Sequence, residues 1–282
     1  MDTLSAIASR RSIRKFAATA VEPVKLQIVL EAVRHCPSVK AMVVITSDKC
    51  YENNEWIWGY RESDPLGGYD PYSASKACAE LVVGSFRSSF LNPKSFGKTH
   101  TTALASVRAG NVIGGGDWSP DRLIPDFVKA TVKGEVVTLR NPSATRPWQH
   151  VLEPLAGYLW LAASMCRDGA RFSEAWNFGP DDESVVTVET VVKHLLAGWG
   201  KGRYAVSGDV QPHEAHLLKL DTSKARSGLG WKPLLNIQRA LQAAGEWYRA
   251  YYDGRDMTSF TLGQIEAYVQ AGRDQSLPWS LA

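Results

Sequence analysis

Cysteine is scarce in this chain: Cys36, Cys50, Cys78 and Cys166 are the only four in 282 residues, and no two form a CxxC pair. That argues against a cysteine zinc site and a disulfide framework, and makes a reducing cytoplasm the expected compartment. Long apolar runs are missing too. Nothing approaches the ~20 residues needed to cross a bilayer, and the N-terminus shows no signal-peptide apolar region, so no membrane association is expected. Charge of one sign is not in excess, with 32 Lys and Arg against 29 Asp and Glu and no basic run that concentrates the net +3. Nucleic acid is therefore not an expected partner. His213-Glu214-Ala215-His216 stops one residue short of a zinc-binding HExxH and reads as loop or strand-edge polar residues. A further absence matters more. A dinucleotide-binding half opens with a strand, a glycine-rich turn and a helix N-terminus for the pyrophosphate, and no such unit is found. Gly200 to Ala205 meets a bare GxGxxA pattern, but after a helix and before a strand, and Gly114-Gly115-Gly116 lacks the third glycine in its place.

What is present is an ordinary globular composition, 44% hydrophobic and 22% charged, with length for one large domain or two small ones. From Ala41 onward strand and helix patterns alternate. The residues predict strands over 41–47, 103–109, 136–139, 176–179 and 215–220. They predict helices over 72–90, 123–133, 152–166, 187–198, 222–228, 236–252 and 260–271, the first with Ala79, Val82, Val83 and Phe86 as its buried stripe. Such alternation implies an α/β fold with a parallel sheet. Ten tryptophans, several beside Gly or Pro, suit core packing or stacking on a ring-bearing ligand.

The stretch from Val43 to Lys76 organises the rest. A strand runs into Ser47-Asp48-Lys49-Cys50-Tyr51, and after an aromatic loop Tyr72-Ser73-Ala74-Ser75-Lys76 opens a long helix. A Tyr and a Lys four residues apart share one helix face. The ammonium would favour the phenolate and bring Tyr72 toward the working range of a general base. Ser47 and Asp48 stand where open α/β sheets place ligands. Taken singly, Tyr-x-x-x-Lys is a common pattern, and Asp48 with Lys49 also reads as a solvated ion pair at a strand end.

Taken together, these residues resemble the extended short-chain dehydrogenase/reductase family, specifically its NAD-dependent nucleotide-sugar 4,6-dehydratases. Thr46 to Asn53 is similar to the Thr-Ser-Asp-Lys-Cys-Tyr-Glu-Asn pattern of the group acting on CDP-glucose, and the likeness continues through Gly67 to Ser73 and on to about Gln270. The resemblance implies a partial Rossmann-like parallel sheet with a smaller mixed α/β substrate lobe. It implies NAD as cofactor and a nucleotide sugar as substrate, with CDP-glucose dehydrated to CDP-4-keto-6-deoxyglucose. By that resemblance Tyr72 takes the C4 hydroxyl proton while Lys76 lowers its pKa and holds the nicotinamide ribose. Ser47 hydrogen-bonds the developing oxyanion, and Asp48 protonates the departing C6 hydroxyl. Lys49 stands where dTDP-glucose dehydratases carry the Glu that removes the C5 proton, a role that needs a lowered pKa. Asn111 is implied to approach the pyrophosphate. Arg146, with Trp148 two residues on, suits a phosphate contact beside a stacking platform, and Trp118 and Arg122 would frame the base and diphosphate. Each of these arginines also reads as a surface cation.

Residues 1–38 look foreign to the rest of the chain. Arg10-Arg11-Ser12 precedes a segment with Val24, Ile28 and Ala32 at helical spacing, and the whole resembles the N-terminus of nitroreductases, where an Arg-Arg-Ser segment helps hold the phosphate of FMN. A basic amphipathic helix is the plain alternative. Nothing later resembles the rest of that family, so FMN is not an expected cofactor. The expected organisation is an arm over 1–38, a truncated Rossmann part over 39–175 interleaved with substrate-binding segments, and a mainly C-terminal nucleotide-sugar-binding lobe over 176–282. The resemblance also implies a homodimer packed through helix 72–90, which is apolar on more than one face. Two rival readings remain: a nucleotide-sugar-binding remnant without turnover, and a flavin-dependent reductase fragment.

Overall fold

The computed structural model describes residues 24–207 and 217–281. In chain order the elements are α1 (Val24–Arg34), β1 (Ala41–Ile45), α2 (Pro71–Ser89), β2 (Ala103–Ala109), β3 (Asn111–Ile113), α3 (Leu123–Lys133), β4 (Val136–Leu139) and β5 (Thr145–His150). There follow α4 (Leu152–Phe172), β6 (Ala175–Phe178), β7 (Val185–Thr187), α5 (Val188–Trp199), β8 (Arg203–Val206), α6 (Ser223–Leu229), α7 (Ile237–Tyr252) and α8 (Met257–Asp274). Among them no helix is long and apolar enough to cross a membrane.

β1, β2 and β6 form a parallel sheet in that order. Leu30 of α1 and Val83 and Phe86 of α2 pack with Leu104 on one face. Leu161 of α4 and Leu229 of α6 pack with Ala105, Val107 and Phe178 on the other. β2 is buried on both faces, and the polar residues that interrupt its apolar ones, Ser106 and Arg108, both bond Glu80 of α2. A second sheet has the order β3-β5-β7, with β3 parallel and β5–β7 antiparallel. β4 and β8 pair as a third. Phe127, Val128, Trp148, Val191 and Tyr248 fill the core between α3, α5, α7 and this second region. A single residue, Gly110, separates β2 of one sheet from β3 of the other. A Cβ there would lie 2.8 Å from Pro147 Cγ and 3.0 Å from Asp48 Oδ2, so only glycine fits.

Several expectations are corrected. The strand expected over 41–47 ends at Ile45, because Ser47 Oγ accepts the Lys49 N–H at 3.2 Å and caps a short 3₁₀ turn over Asp48–Cys50. The strand expected over 215–220 is not present in its described part. Leu218 and Leu220 alternate inward, but they pack on Tyr51 and Tyr60, and only a bridge from Leu220 to Tyr60 forms. Residues 208–216, with His213 and His216, lie outside the described residues, as do Arg10 to Ser12. β3, β5 and β7 are unannounced by the sequence. Helix 152–166 continues to Phe172, past a non-helical Asp168. The buried stripe of α2 runs through Ser73, Ala77, Glu80, Val83 and Phe86, so Ala79 and Val82 flank it.

Candidate functional site

Asp70 and Pro71 start α2. Asp70 Oδ1 accepts the N–H groups of Tyr72 and Ser73 at 2.9 and 3.0 Å, and Oδ2 accepts Ser73 Oγ at 2.6 Å. An aspartate N-cap followed by proline at the first helical position is a strong start signal. The cap fixes the first turn, leaving Tyr72 56% exposed and placing Lys76 Nζ 5.5 Å from its ring centre. The 3₁₀ turn that follows β1 packs against this helix and brings Ser47, Asp48 and Lys49 to the same place.

Asp48 is the unusual group. It is 3% exposed; Oδ1 accepts the Ser47 hydroxyl at 3.0 Å, and Oδ2 has no hydrogen-bond partner. Burial pushes its carboxyl above the ordinary range, against the pull of Lys49, Ser47 and Arg146. Lys49 also lies near Asp70, whose carboxyl is held low chiefly by Ser73.

Beneath this trio a buried pair joins the elements. Glu80 of α2 accepts Arg108 Nη2 at 2.8 Å, Ser106 Oγ at 2.7 Å and Thr46 Oγ1 at 2.5 Å. Arg108 Nη1 donates to the Tyr51 hydroxyl at 2.6 Å, which in turn donates to Asn177 Oδ1 at 2.8 Å. The pair thereby links β1, β2 and β6 to α2 and fixes where β1 ends.

The substrate residues named from the sequence are only partly gathered. Asn111, Arg122 and Arg146 line a cavity of about 570 Å³ together with Trp148 and Gly115, a volume usual for small-molecule sites. Arg146 is 3% exposed and donates to Thr145 O at 2.9 Å, so it is not a surface cation; it also faces the Asp48 charge. Arg122 is exposed at the start of α3. Trp118 stands beside the cavity lining without being part of it: its ring packs with Tyr248, Tyr251 and Tyr252, with centroids 5.2, 4.8 and 6.0 Å away.

Three groups near the site are not predicted from the sequence. Asp70 carries a legible signal, the Asp-Pro pair. The Glu80–Arg108 pair has none. His150 closes β5 at 3% exposure; its Nδ1 accepts the Leu152 N–H at 3.3 Å, which puts the ring proton on Nε2, and Nε2 has no partner. Desolvation holds this imidazole neutral, with its pKa lowered to about 4.

The fit to a dinucleotide is uneven. Tyr72 and Lys76 offer an accessible phenol and ammonium for a ribose. No strand, glycine-rich turn and helix follow one another among the described residues in the way a pyrophosphate requires. A Cβ on Gly115 would fall 2.0 Å from the Trp247 ring, so that glycine serves close packing. Gly200 is the left-handed cap that ends α5.

A family model described as GDP-mannose 4,6 dehydratase matches residues 11–244, starting inside the nitroreductase-like segment. CDP-glucose 4,6-dehydratase of Salmonella typhimurium is 51% identical over 243 residues, which are 86% of this chain and 67% of that protein. dTDP-glucose 4,6-dehydratase of Streptomyces niveus is 27% identical over 228 residues, 79% of this chain and 61% of that protein. The structure of dTDP-glucose 4,6-dehydratase from Bacillus anthracis in complex with NAD matches with a TM-score of 0.65 at 21% identity, covering 82% of this chain and 68% of that one. UDP-glucuronic acid 4-epimerase from Bacillus cereus, in complex with UDP-glucuronic acid and NAD, matches with a TM-score of 0.67 at 19% identity, covering 80% and 67%. These structures establish the Rossmann-like α/β fold. The chain spans roughly two thirds of the length of these relatives.

Proposed function

Because the chain belongs to the GDP-mannose 4,6 dehydratase family of NAD-dependent nucleotide-sugar enzymes, we propose that its cavity takes CDP-glucose and that its strand-end residues dehydrate it to CDP-4-keto-6-deoxyglucose. Asp48 carries the reading. Its carboxyl is buried with one oxygen unbonded, and burial raises its pKa and so favours the protonated form, which suits a group that protonates a departing C6 hydroxyl. Tyr72 receives the C4 hydroxyl proton, with the Lys76 ammonium beside its ring. Ser47 has a single hydroxyl proton, which it donates to Asp48, so it stabilises the C4 oxygen only by exchanging that bond. Lys49, the third of the trio, is the candidate for the C5 proton. Arg146 and Asn111 hold the diphosphate in the cavity, with Arg122 at its margin. When bound, NAD supplies the hydride acceptor whose temporary reduction makes C5–H acidic; Tyr72 and Lys76 would hold its nicotinamide ribose.

A homodimer is part of this reading. Leu81 and Phe90 of the α2 region and Ile28 and Val29 of α1 remain exposed, an apolar surface suited to a second copy. A cytoplasmic location suits four free thiols.

Calorimetric titration with CDP-glucose tests the proposal. Arg146→Met should weaken binding by roughly 10- to 100-fold, the loss of one charge-assisted contact of about 1.5–3 kcal/mol. In a preparation that turns over, Asp48→Asn should keep CDP-glucose affinity and lose about 10²–10⁴-fold in product formation. Unchanged affinity in Arg146→Met would remove the sugar nucleotide from this cavity, and unchanged turnover in Asp48→Asn would remove the acid.

A further inference from the structure

We propose that a second pocket, at the C-terminal end of α3, binds the phosphoryl group of a small phosphorylated metabolite. This pocket is separate from the cavity assigned to the sugar nucleotide, and its ligand does not depend on that assignment.

The pocket measures about 340 Å³ and lies where α3 ends and where the paired strands β4 and β8 begin. Lys133 and Glu135 enter its wall from the turn between α3 and β4, Lys201 and Arg203 from the turn that leads out of α5 into β8. This second turn is the Gly200 to Ala205 stretch, whose glycine spacing imitates a dinucleotide fingerprint in the wrong context. α3 has 11 residues, so about 16 Å of helix separate the pocket from the Arg122 end that lines the larger cavity.

Charge is the first argument. Three cations stand with one carboxylate in this wall, and among the described residues none of the three forms an ion pair or a hydrogen bond. Lys133 alone would be an ordinary helix-end cation. Lys201 and Arg203 reach the same place from some 70 residues further along the chain. The helix end does not repel an anion as bare carbonyls would, because Thr131 O and Ala130 O accept the N–H groups of Gly134 and Glu135 at 3.2 and 2.8 Å.

Thr131 gives the second argument. It lines the pocket at 2% exposure, and its Oγ1 has no hydrogen-bond partner. A buried hydroxyl left unbonded costs stability, and an anion in the pocket would accept it. Gly202 lies directly against this side chain. A Cβ there would fall 3.2 Å from Thr131 Oγ1 and 2.9 Å from Leu196 Cδ2, and its φ of +116° favours glycine. The turn can therefore pass close over Thr131 with a cation on each side of the glycine.

The donor set identifies the ligand. A phosphate monoester carries about −1.5 to −2 charges at neutral pH and three acceptor oxygens, enough to engage two or three cations and a hydroxyl at once. A carboxylate or a phosphodiester brings a single charge. The volume exceeds that of a phosphoryl group and leaves room for a small organic remainder.

The test is a 31P NMR titration with inorganic phosphate, on the full chain and on Arg146→Met, in which the larger cavity has lost its buried cation. The expected result is saturable binding in both, displaced by glycerol 3-phosphate. Lys201→Gln/Arg203→Gln should weaken it by roughly 100-fold or more, the loss of two charge-assisted contacts. Thr131→Val, which removes only the hydroxyl, should weaken it by roughly 10-fold while the urea midpoint stays the same or rises. Lys94→Gln/Lys98→Gln removes equal charge from the segment between α2 and β2 and should change nothing. Absence of saturable binding, failure of the ester to displace phosphate, or unchanged binding in Lys201→Gln/Arg203→Gln or in Thr131→Val would each overturn the proposal. So would an equal loss in Lys94→Gln/Lys98→Gln, which would reduce the effect to net charge, or loss in Arg146→Met, which would move the phosphate to the larger cavity. CDP-glucose affinity is read separately, so failure of the proposed function leaves this test intact.

Discussion

β5 is hydrogen-bonded on both sides, to β3 and to β7, and every residue from Arg146 to His150 is buried; among the described residues β1 pairs only with β2, and it ends in a half-exposed isoleucine. The cavity is lined from the β5 side, while Ser47, Asp48, Tyr72 and Lys76 at the β1 end lie outside its lining; Asp48 meets the β5 side at Gly110 and through the Arg146 charge. On the β5 side a cavity exists, with Arg146 and Trp148 already desolvated in its wall. On the β1 side the catalytic candidates are present, but Tyr72 stands 56% exposed beside them. Under the proposed function, holding a sugar nucleotide and turning it over would therefore draw on different parts of the chain.

The largest expected effect asks whether the parallel sheet is held from within. Arg108→Met leaves Glu80 buried with two hydroxyls and no cation, and should cost about 3–5 kcal/mol in urea denaturation. A cost below about 1 kcal/mol would mean that the parallel sheet does not depend on this pair.

An intermediate effect tests how dry the β5 side is. Glu153, on α4 just beyond β5, accepts the N–H groups of Leu234 and Leu235 and the Tyr268 hydroxyl, and burial lifts its pKa to about 7. From its ordinary value near 4.5 up to about 7 the folded chain keeps a proton that the unfolded chain has lost, so this group makes stability fall as pH rises. His150 does the reverse: between about 4 and its ordinary 6.5 the unfolded chain binds the proton, and stability rises with pH. The two slopes, each about 1.4 kcal/mol per pH unit, oppose one another where the windows overlap. Asp48, also raised by burial, adds to the fall. Relative to the unaltered chain, Glu153→Gln should therefore tilt the dependence upward between pH 5 and 6.5, and His150→Gln should tilt it downward. Urea midpoints at the two pH values check both, and no change of slope in either variant would show that water reaches these groups.

The smallest effect compares register partners. Ile45→Thr should change stability by less than about 0.5 kcal/mol, because the side chain is already in water. Val107→Thr, directly opposite, should cost about 1–3 kcal/mol, because its hydroxyl is buried. Equal costs would mean that the β1 edge is covered in solution.

The same contrast governs what can be read from the amino acids. β2, β4 and α3 are legible to the residue, because apolar runs and helical spacing are local signals. β5 is not. Pro147 breaks the strand pattern, and Arg146, Gln149 and His150 look like loop residues until distant partners such as Phe178 O, which accepts Gln149 Nε2, are in place. Tyr72, Lys76, Ser47, Asp48 and Arg146 are legible through resemblance, and the fold brings the first four to one end of a strand. The packing of Trp118 on Tyr248, Tyr251 and Tyr252 is not legible, because these partners lie some 130 residues away, where no pattern around Trp118 points. Glu80 and Arg108 escape it for the same reason: a buried pair between a helix and a strand leaves no periodic trace.

Gly110 has a mechanical meaning. As the lone residue between β2 and β3, it is the point where the backbone passes from the parallel sheet to the cavity sheet, with Pro147 on one side and Asp48 Oδ2 on the other. Were the two sheets to rotate relative to each other, a pivot there would give the Asp48 carboxyl a lever arm of only a few ångströms. The cavity wall would then sweep a longer arc while the Asp48 carboxyl stayed almost still, like the axle of a turning wheel.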